Sequence, residues 1–472
     1  MILKSLSTPY LKLGLGWLLV TVSLLSPTPW SAGATGFNRF HEADKSIPSL
    51  QGAAAITYLK EHKLYDSLRA ALHAARTQQG DLSVLAPLSI DEQKLTASDG
   101  TTGDFFGSSV AVSGSTIVVG AAFDSIPGSL GSVYVFNRQG GNWVETQKLT
   151  PSDGAILFGF SVAVSGSTIV VGSQADSIGG NALQGSAYVF NRQGGSWVET
   201  QRLTASDGAA GDQFGNAVAV SGSTIVVNAI IDTVGGNFAQ ASAYVFDLQG
   251  GSWVETQKLT ASDGAELDQF GKSIAISGST IIVGAPFDDV EGTFNQGSAY
   301  VFNRQGGSWG ETHKLTASDG TPGDQFGWSV GVSGSTVVVG AINDTIGGNL
   351  TQGSAYVFNR QGGGWVETQK LTASDGGMDD LFGWTVAVSG STIVVSAIFH
   401  DIGVNGNQGS AYVYNRQGGS WVETLKLTAS DNAAGDRFGV SIAVSGSTIV
   451  VGADSDDIDS IINQGSAYVF EP

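Results

Sequence analysis

The chain of 472 residues contains no cysteine. That absence excludes disulfides, thiolate metal sites, thiol nucleophiles and a lipid-modified N-terminal cysteine. Proline is scarce, at 10 residues, and the 67 glycines do not recur every third position, so a collagen-like chain is excluded. Positive charge is also in short supply. Lys and Arg number 22 against 42 Asp and Glu, a net charge of −20. A chain of this sign lacks the clustered cations needed to neutralise nucleic-acid phosphates or an anionic bilayer. No apolar run after the first 34 residues is long enough to span a membrane. What is present is a hydrophobic content of 41%, enough to build a true core.

The first 34 residues have the pattern of an export signal. Lys4 and Lys12 precede the apolar stretch Leu13 to Leu25, Pro27 and Pro29 follow, and Ala32-Gly33-Ala34 forms an A-x-A cleavage site. As a helix the apolar stretch would reach about 20 Å, short of the ~30 Å bilayer core. A signal peptide over 1–34 is therefore expected, with a secreted, extracellular or periplasmic destination. Residues 35–88 differ in composition from the rest. Ala53, Ile56, Leu59, Leu64, Leu68, Leu72 and Ala75 keep helical spacing, with Lys60, Glu61, Arg69 and Arg76 between them. One bent helix or two short ones are expected there, with His62 and His73 as ordinary helix residues.

Residues 89–472 repeat one unit. Gln-Lys-Leu-Thr or a variant begins at Gln93, Gln147, Gln201, Gln257, His313, Gln369 and Leu425, at intervals of 54, 54, 56, 56, 56 and 56. Each copy reads as four short strands. In the fifth copy these are Ser329–Val332, Thr336–Gly340, Ser354–Phe358 and Gly364–Leu371, rich in β-branched and aromatic residues and separated by Gly, Asn, Asp and Ser. The last copy stops after its third strand, at Phe470. The missing outer strand lies before the first copy, at Ile90–Thr96. An all-β, seven-bladed β-propeller of four-stranded blades, closed by strand exchange between its ends and preceded by a short α-helical segment, accounts for both observations.

Phe-Gly opens every copy, at Phe106-Gly107, Phe158-Gly159, Phe214-Gly215, Phe270-Gly271, Phe326-Gly327, Phe382-Gly383 and Phe438-Gly439. A Gly-Ala-Pro element is complete at Gly284-Ala285-Pro286 and degraded elsewhere. In these residues the chain resembles the FG-GAP repeat family, the blades of integrin alpha-chain propellers and of many bacterial surface proteins. The resemblance implies a seven-bladed fold and a binding or adhesion role. Family members that hold calcium carry an Asp-x-Asp-x-Asp-Gly loop between the first two strands. Here that loop is only Ser-Gly-Ser-Thr, as in Ser113-Gly114-Ser115-Thr116, too short and too neutral to enclose a hard cation. The family's calcium sites are not carried over.

Alternating strand direction segregates the charge. Ser-Gly-Ser turns and Asn-Arg-Gln-Gly-Gly turns share one face, while the inter-blade links and the two-to-three loops, rich in Asp, share the other. Three readings compete for these aspartates. They accept backbone N–H groups in Asx-type turns; or they bind a divalent cation, with Asp454, Asp456, Asp457 and Asp459 the densest cluster; or they act as a carboxylate pair in glycoside chemistry. Their regular recurrence favours the first. No cofactor is implied, and calcium is left only that last cluster. Gly327-Trp328-Ser329-Val330-Gly331 matches a hydrolase motif, but the same slot in other copies opens a strand with no helix after it.

The informative positions are those where copies differ. Directly after Phe-Gly come Ser108, Phe160, Asn216, Lys272, Trp328, Trp384 and Val440, at the rim of the acidic face. Phe287, Phe399 and His400 lie in nearby loops of blades four and six. The repeated tryptophans, such as Trp143 and Trp365, are expected to seal blade against blade. Lys272, Phe287, Trp328, Trp384, Phe399 and His400 are thus the candidate ligand-binding residues. The expected protein is a monomeric, exported, non-enzymatic propeller that binds an extracellular protein or carbohydrate, with no nucleic-acid partner and no integral membrane segment once the signal is removed. A secreted carbohydrate-active hydrolase or lyase and a structural envelope protein are the alternatives. The even copy spacing leaves no room for the long insertion an enzyme usually carries.

Overall fold

The computed structural model describes residues 90–471 apart from Pro127 and Asn432. The predicted signal peptide and the helical segment at 35–88 lie outside the described residues. The described chain forms seven four-stranded antiparallel sheets, each one blade. In blade five the strands run Phe326–Ser333, Thr336–Ala341, Ser354–Gln361 and Gly364–Leu371. Blade seven consists of Ser441–Ser445, Thr448–Ala453 and Ser466–Glu471, completed by Asp91–Leu95 from the other end of the repeat array. Asp91 pairs with Glu471 and Leu95 with Ala467, so the closing strand is antiparallel and in register along its length.

Two boundaries differ from the sequence reading, for physical reasons. The third strand continues through Asn359, Arg360 and Gln361, because Gln361 pairs with Gly364 and the turn is only Gly362-Gly363. Both glycines have positive φ, +60° and +90°, as a two-residue hairpin with right-handed twist requires. The innermost strand begins at Phe326 rather than Ser329, and its pairing register shifts between these two residues. That bulge re-aims Trp328. Blade one also departs from the others. Its second and third strands extend to Thr116–Ile126 and Ser129–Gln139, where the other blades have compact loops.

The core is divided among seven interfaces between neighbouring blades. At the blade-four–five interface, Ile282, Ala299 and Val301 face Phe326, Val337, Val339, Tyr356, Phe358 and Trp365. Outer-strand tryptophans seal six of these seven layers, as the repeat suggested. Each blade's β-branched strands bury both faces, so a blade cannot be stable without its neighbours.

Polar belts tie the blades together where the apolar layers end. Gln257 donates to the carbonyl of Trp309 at 2.6 Å and accepts the Trp309 N–H at 2.7 Å, a two-point clamp between adjacent outer strands. The same clamp joins Gln93 to Trp143 across the closure. On the face of short turns, the Gly334 N–H donates to Ser277 Oγ at 3.3 Å, and the equivalent bond recurs around the ring, including Gly114 to Ser445. Nearer the axis, Ser329 Oγ donates to the Gly383 carbonyl of the next blade at 2.7 Å.

The Phe-Gly pair is explained by the same interfaces. Phe326 is fully buried, with its ring 5.4 Å from Tyr356 and 6.0 Å from Phe358 in edge contacts. The glycine runs against the preceding blade. At Gly159, with φ +91°, an added Cβ would lie 2.7 Å from the Ser132 carbonyl oxygen and 3.0 Å from a Val133 methyl. Gly159→Ala is therefore expected to lower folding stability by about 2–4 kcal/mol, read as a lower midpoint in urea. A variant with an unchanged midpoint would contradict this packing.

Candidate ligand-binding mouth

The aspartate-rich face is first of all a set of ion-pair networks, one in each blade. In blade five the Lys370 ammonium lies 2.7 Å from Asp319, in the inter-blade link, and 2.6 Å from Asp344, in the two-to-three loop. Tyr356 donates to Asp319 at 2.7 Å and to Asp344 at 3.1 Å. Ser354 Oγ donates to Asp344 at 2.6 Å. Glu367 accepts from the N–H and hydroxyl of Ser318, which fixes the link. Each Asp-Lys pairing thus fastens a loop to the outer strands of its own blade. In blade two Arg202 replaces the lysine and pairs with Asp153.

The electrostatics follow from this geometry. Burial opposes ionisation of Asp319, but the Lys370 and Tyr356 hydrogen bonds outweigh it and hold the carboxyl below its ordinary value. Burial likewise opposes the charge on Lys370, yet its two aspartates raise its pKa. A second set of aspartates behaves oppositely. Asp268 is buried in the link, where it accepts the Ala265 N–H at 2.5 Å, and burial with the nearby Asp288 charge pushes its pKa up to about 6. These aspartates accept a backbone N–H, as the first reading has it, but from the residue three positions earlier and not from the residue two positions later as in an Asx turn. Much of the formal acidity of this face is consequently spent on structure.

The four-aspartate cluster does not converge on one point. Asp454 is held by Arg437, whose Nη2 contacts both carboxylate oxygens at 2.7 and 2.8 Å. Asp456 accepts from Ser466 and Tyr468 and pairs with Lys94. Asp457 accepts the Asn463 N–H at 2.8 Å, and Asp459 occupies a left-handed backbone position, φ +58°. Among the described residues no group of three or more His, Cys, Asp or Glu side chains is placed to hold a metal. The Ser-Gly-Ser turns are equally unsuited to calcium, since they bring no carboxylate and serine hydroxyls such as Ser277 and Ser445 already accept a glycine N–H of the neighbouring blade.

The post-Phe-Gly positions are set by a local turn. The Trp328 N–H donates to the Gln325 carbonyl at 3.2 Å, closing a tight turn in which Gln325 has φ +57° and Gly327 φ +96°. Trp384 bonds Leu381, and Lys272 bonds Gln269, in the same manner. The three side chains from consecutive blades then meet. The Lys272 ammonium is 4.5 Å from the centroid of the Trp328 ring, and Trp328 lies 5.1 Å from Trp384 with the planes inclined at 46°. All three are half-buried. The adjacent Asn216 turns instead to Gln174, at 2.5 Å.

The other candidates part from this group. Phe287 and Phe399 are half-buried and make no ring contact with either tryptophan. His400 is buried in the place that an aspartate holds in the other blades. Its Nδ1 lies 3.2 Å from Ser410 Oγ, and its Nε2 lies 3.3 Å from Lys426 and 3.8 Å from Asp375. It belongs to the blade-six network, not to the mouth. Sequence reasoning missed the lysine of Gln-Lys-Leu-Thr, the tyrosine of Ser-Ala-Tyr and the clamping glutamines. Their recurrence in phase with the aspartates was the available signal.

Fold and interfaces define a strand-closed, seven-bladed propeller whose blades carry a Phe-Gly turn against the preceding blade. The FG-GAP repeat family model matches residues 90–136, 143–190, 197–246, 253–302, 309–358, 365–414 and 421–470. The chain belongs to the FG-GAP repeat family. Each matched segment opens on an outer strand and ends on the third strand of the next blade, the offset that strand closure requires. A comparison with curated proteins finds no match.

Two outcomes follow. Because the folded pKa of Asp268 exceeds its unfolded value, this group favours the fold at low pH, and that contribution is lost as pH rises from about 4 to about 6. Asp268→Asn is expected to gain stability relative to wild type across that interval and to keep a constant advantage above it, measured by denaturant melts at stepped pH. An advantage that does not change with pH would contradict the assignment. Separately, chelator is expected to leave the thermal midpoint unmoved, since the candidate carboxylates are already partnered; a fall of several degrees reversed by calcium would show otherwise.

Proposed function

We propose that the protein is an exported, non-enzymatic binding propeller of the adhesion type, which takes a carbohydrate or protein ligand at the mouth of its loop face. The observation that carries this reading is the contiguous group of Lys272, Trp328 and Trp384. It occupies three consecutive blades at a ring position that differs from copy to copy. Partly exposed indoles beside a polar rim offer an aromatic contact of the kind that often dominates recognition energy. A non-enzymatic role is supported by the recurrence of the loop carboxylates in nearly every blade, most of them with a structural partner, and export by the Lys4–Ala34 pattern.

The test is binding of the wild-type protein and a Trp328→Ala/Trp384→Ala variant to an array of glycans and matrix proteins. Loss of two indoles is expected to weaken binding by roughly thirtyfold, about 2 kcal/mol. Equal binding by the two proteins would remove the mouth as the site.

A further inference from the structure

We propose that the mouth reads a single carboxylate on a saccharide, with Lys272 as the pairing cation and the two indoles as the platform for the sugar ring; this rests on the binding function proposed above. The starting observation is how every other lysine of the described residues is used. Lys94, Lys148, Lys258, Lys314 and Lys370 each bridge two aspartates, and Lys426 pairs with Asp375. Lys272 alone among them has no carboxylate within ion-pair distance, and its ammonium rests instead on the face of Trp328. A half-buried ammonium with only an aromatic partner is under-solvated, and burial lowers its pKa. An incoming anion would supply the charge-assisted hydrogen bonds this group lacks.

The surroundings narrow the class of anion. On the same face, the paired blades each set two carboxylates against one cation, which leaves that face with an excess of negative charge. A phosphate dianion or a polyanionic chain would meet that field repeatedly, whereas one carboxylate meets it once. Trp328 and Trp384 are inclined to one another and partly exposed, so a ring with an apolar C–H face can lie on one indole while its carboxylate reaches Lys272. A saccharide ending in one hexuronic acid fits both requirements.

Isothermal titration of the full chain with a disaccharide bearing a single terminal glucuronic acid, and with its methyl ester, separates the two parts. Wild type is expected to bind the acid at least about tenfold more tightly than the ester, with the difference shrinking at high salt. Lys272→Met is expected to level the two affinities, and Lys272→Arg to keep the preference. Equal affinity of wild type for acid and ester, or a preference that survives in Lys272→Met, would overturn the carboxylate assignment. If Trp384→Ala then still abolished binding, the mouth would stand as the site. Should neither sugar bind wild type, this inference falls, while the array with the double tryptophan variant decides the binding function independently.

Discussion

A ring of sheets is stable only if every blade has a neighbour on both sides, and one pairing decides whether that condition is met. Asp91–Leu95 completes the sheet that ends at Glu471. Without it, blade seven would present an open edge, and the interface between blades seven and one would lose Leu95 and its share of the core around Phe106 and Trp143. The closing strand brings polar fastenings as well as backbone pairing. Lys94 reaches Asp431 and Asp456, Glu92 caps Ser430, and Gln93 clamps Trp143. Each of these is the ordinary bond of its repeat position, made here between residues more than 300 apart or across the ends of the ring. The chain therefore needs no disulfide to close.

The same repetition explains how so acidic a chain tolerates its own charge. The loop aspartates are drawn into contact with a lysine or arginine and a tyrosine hydroxyl in nearly every blade, and a second set is buried against backbone N–H groups. Paired and hydrogen-bonded carboxylates of this kind define loop position more than they add net stability. The cost is visible in Asp268 and Asp436, whose pKa values burial raises to about 6. Loop order on this face is thus maintained by groups that do not all favour ionisation.

The architecture was readable from the chain because repetition converts single ambiguous strands into seven agreeing ones. Strand count, closure and the sealing role of the tryptophans follow from period and from the complementary ends. The bulge at Phe326–Ser329 was not readable, since it depends on how Gly327 passes the preceding blade. The fate of His400 was hidden for a related reason. An aromatic base next to Phe399 reads as a surface ligand until the structure shows it occupying the slot of Asp344 and Asp456, buried against Lys426. The cluster at Asp454–Asp459 misled in the opposite sense, because spacing along the chain says nothing about which way each carboxylate turns, and Arg437 had no repeat counterpart to reveal it.

Departures from the repeat fall into two physical kinds. In blade three Ala217 replaces the inner-belt serine, and Asn228 supplies the lost bond by donating to the Gly271 carbonyl at 2.7 Å while accepting the Ala217 N–H. In blade six Thr385 and Ser396 change together, and the threonine bonds the Val440 carbonyl. Leu425 replaces the clamping glutamine where the next outer strand, Asp91–Leu95, offers no tryptophan, and it packs with Ile90 in the blade-six–seven interface. His400 likewise answers to Lys426 and Ser410. These substitutions have structural partners that account for them. Lys272, Trp328 and Trp384 differ in kind, since they meet one another across three consecutive blades through aromatic and cation–ring contacts in place of the ion pairs and hydrogen bonds of the other departures. Among the described lysines Lys272 is the one that exchanges an aspartate pair for the face of an indole in the next blade.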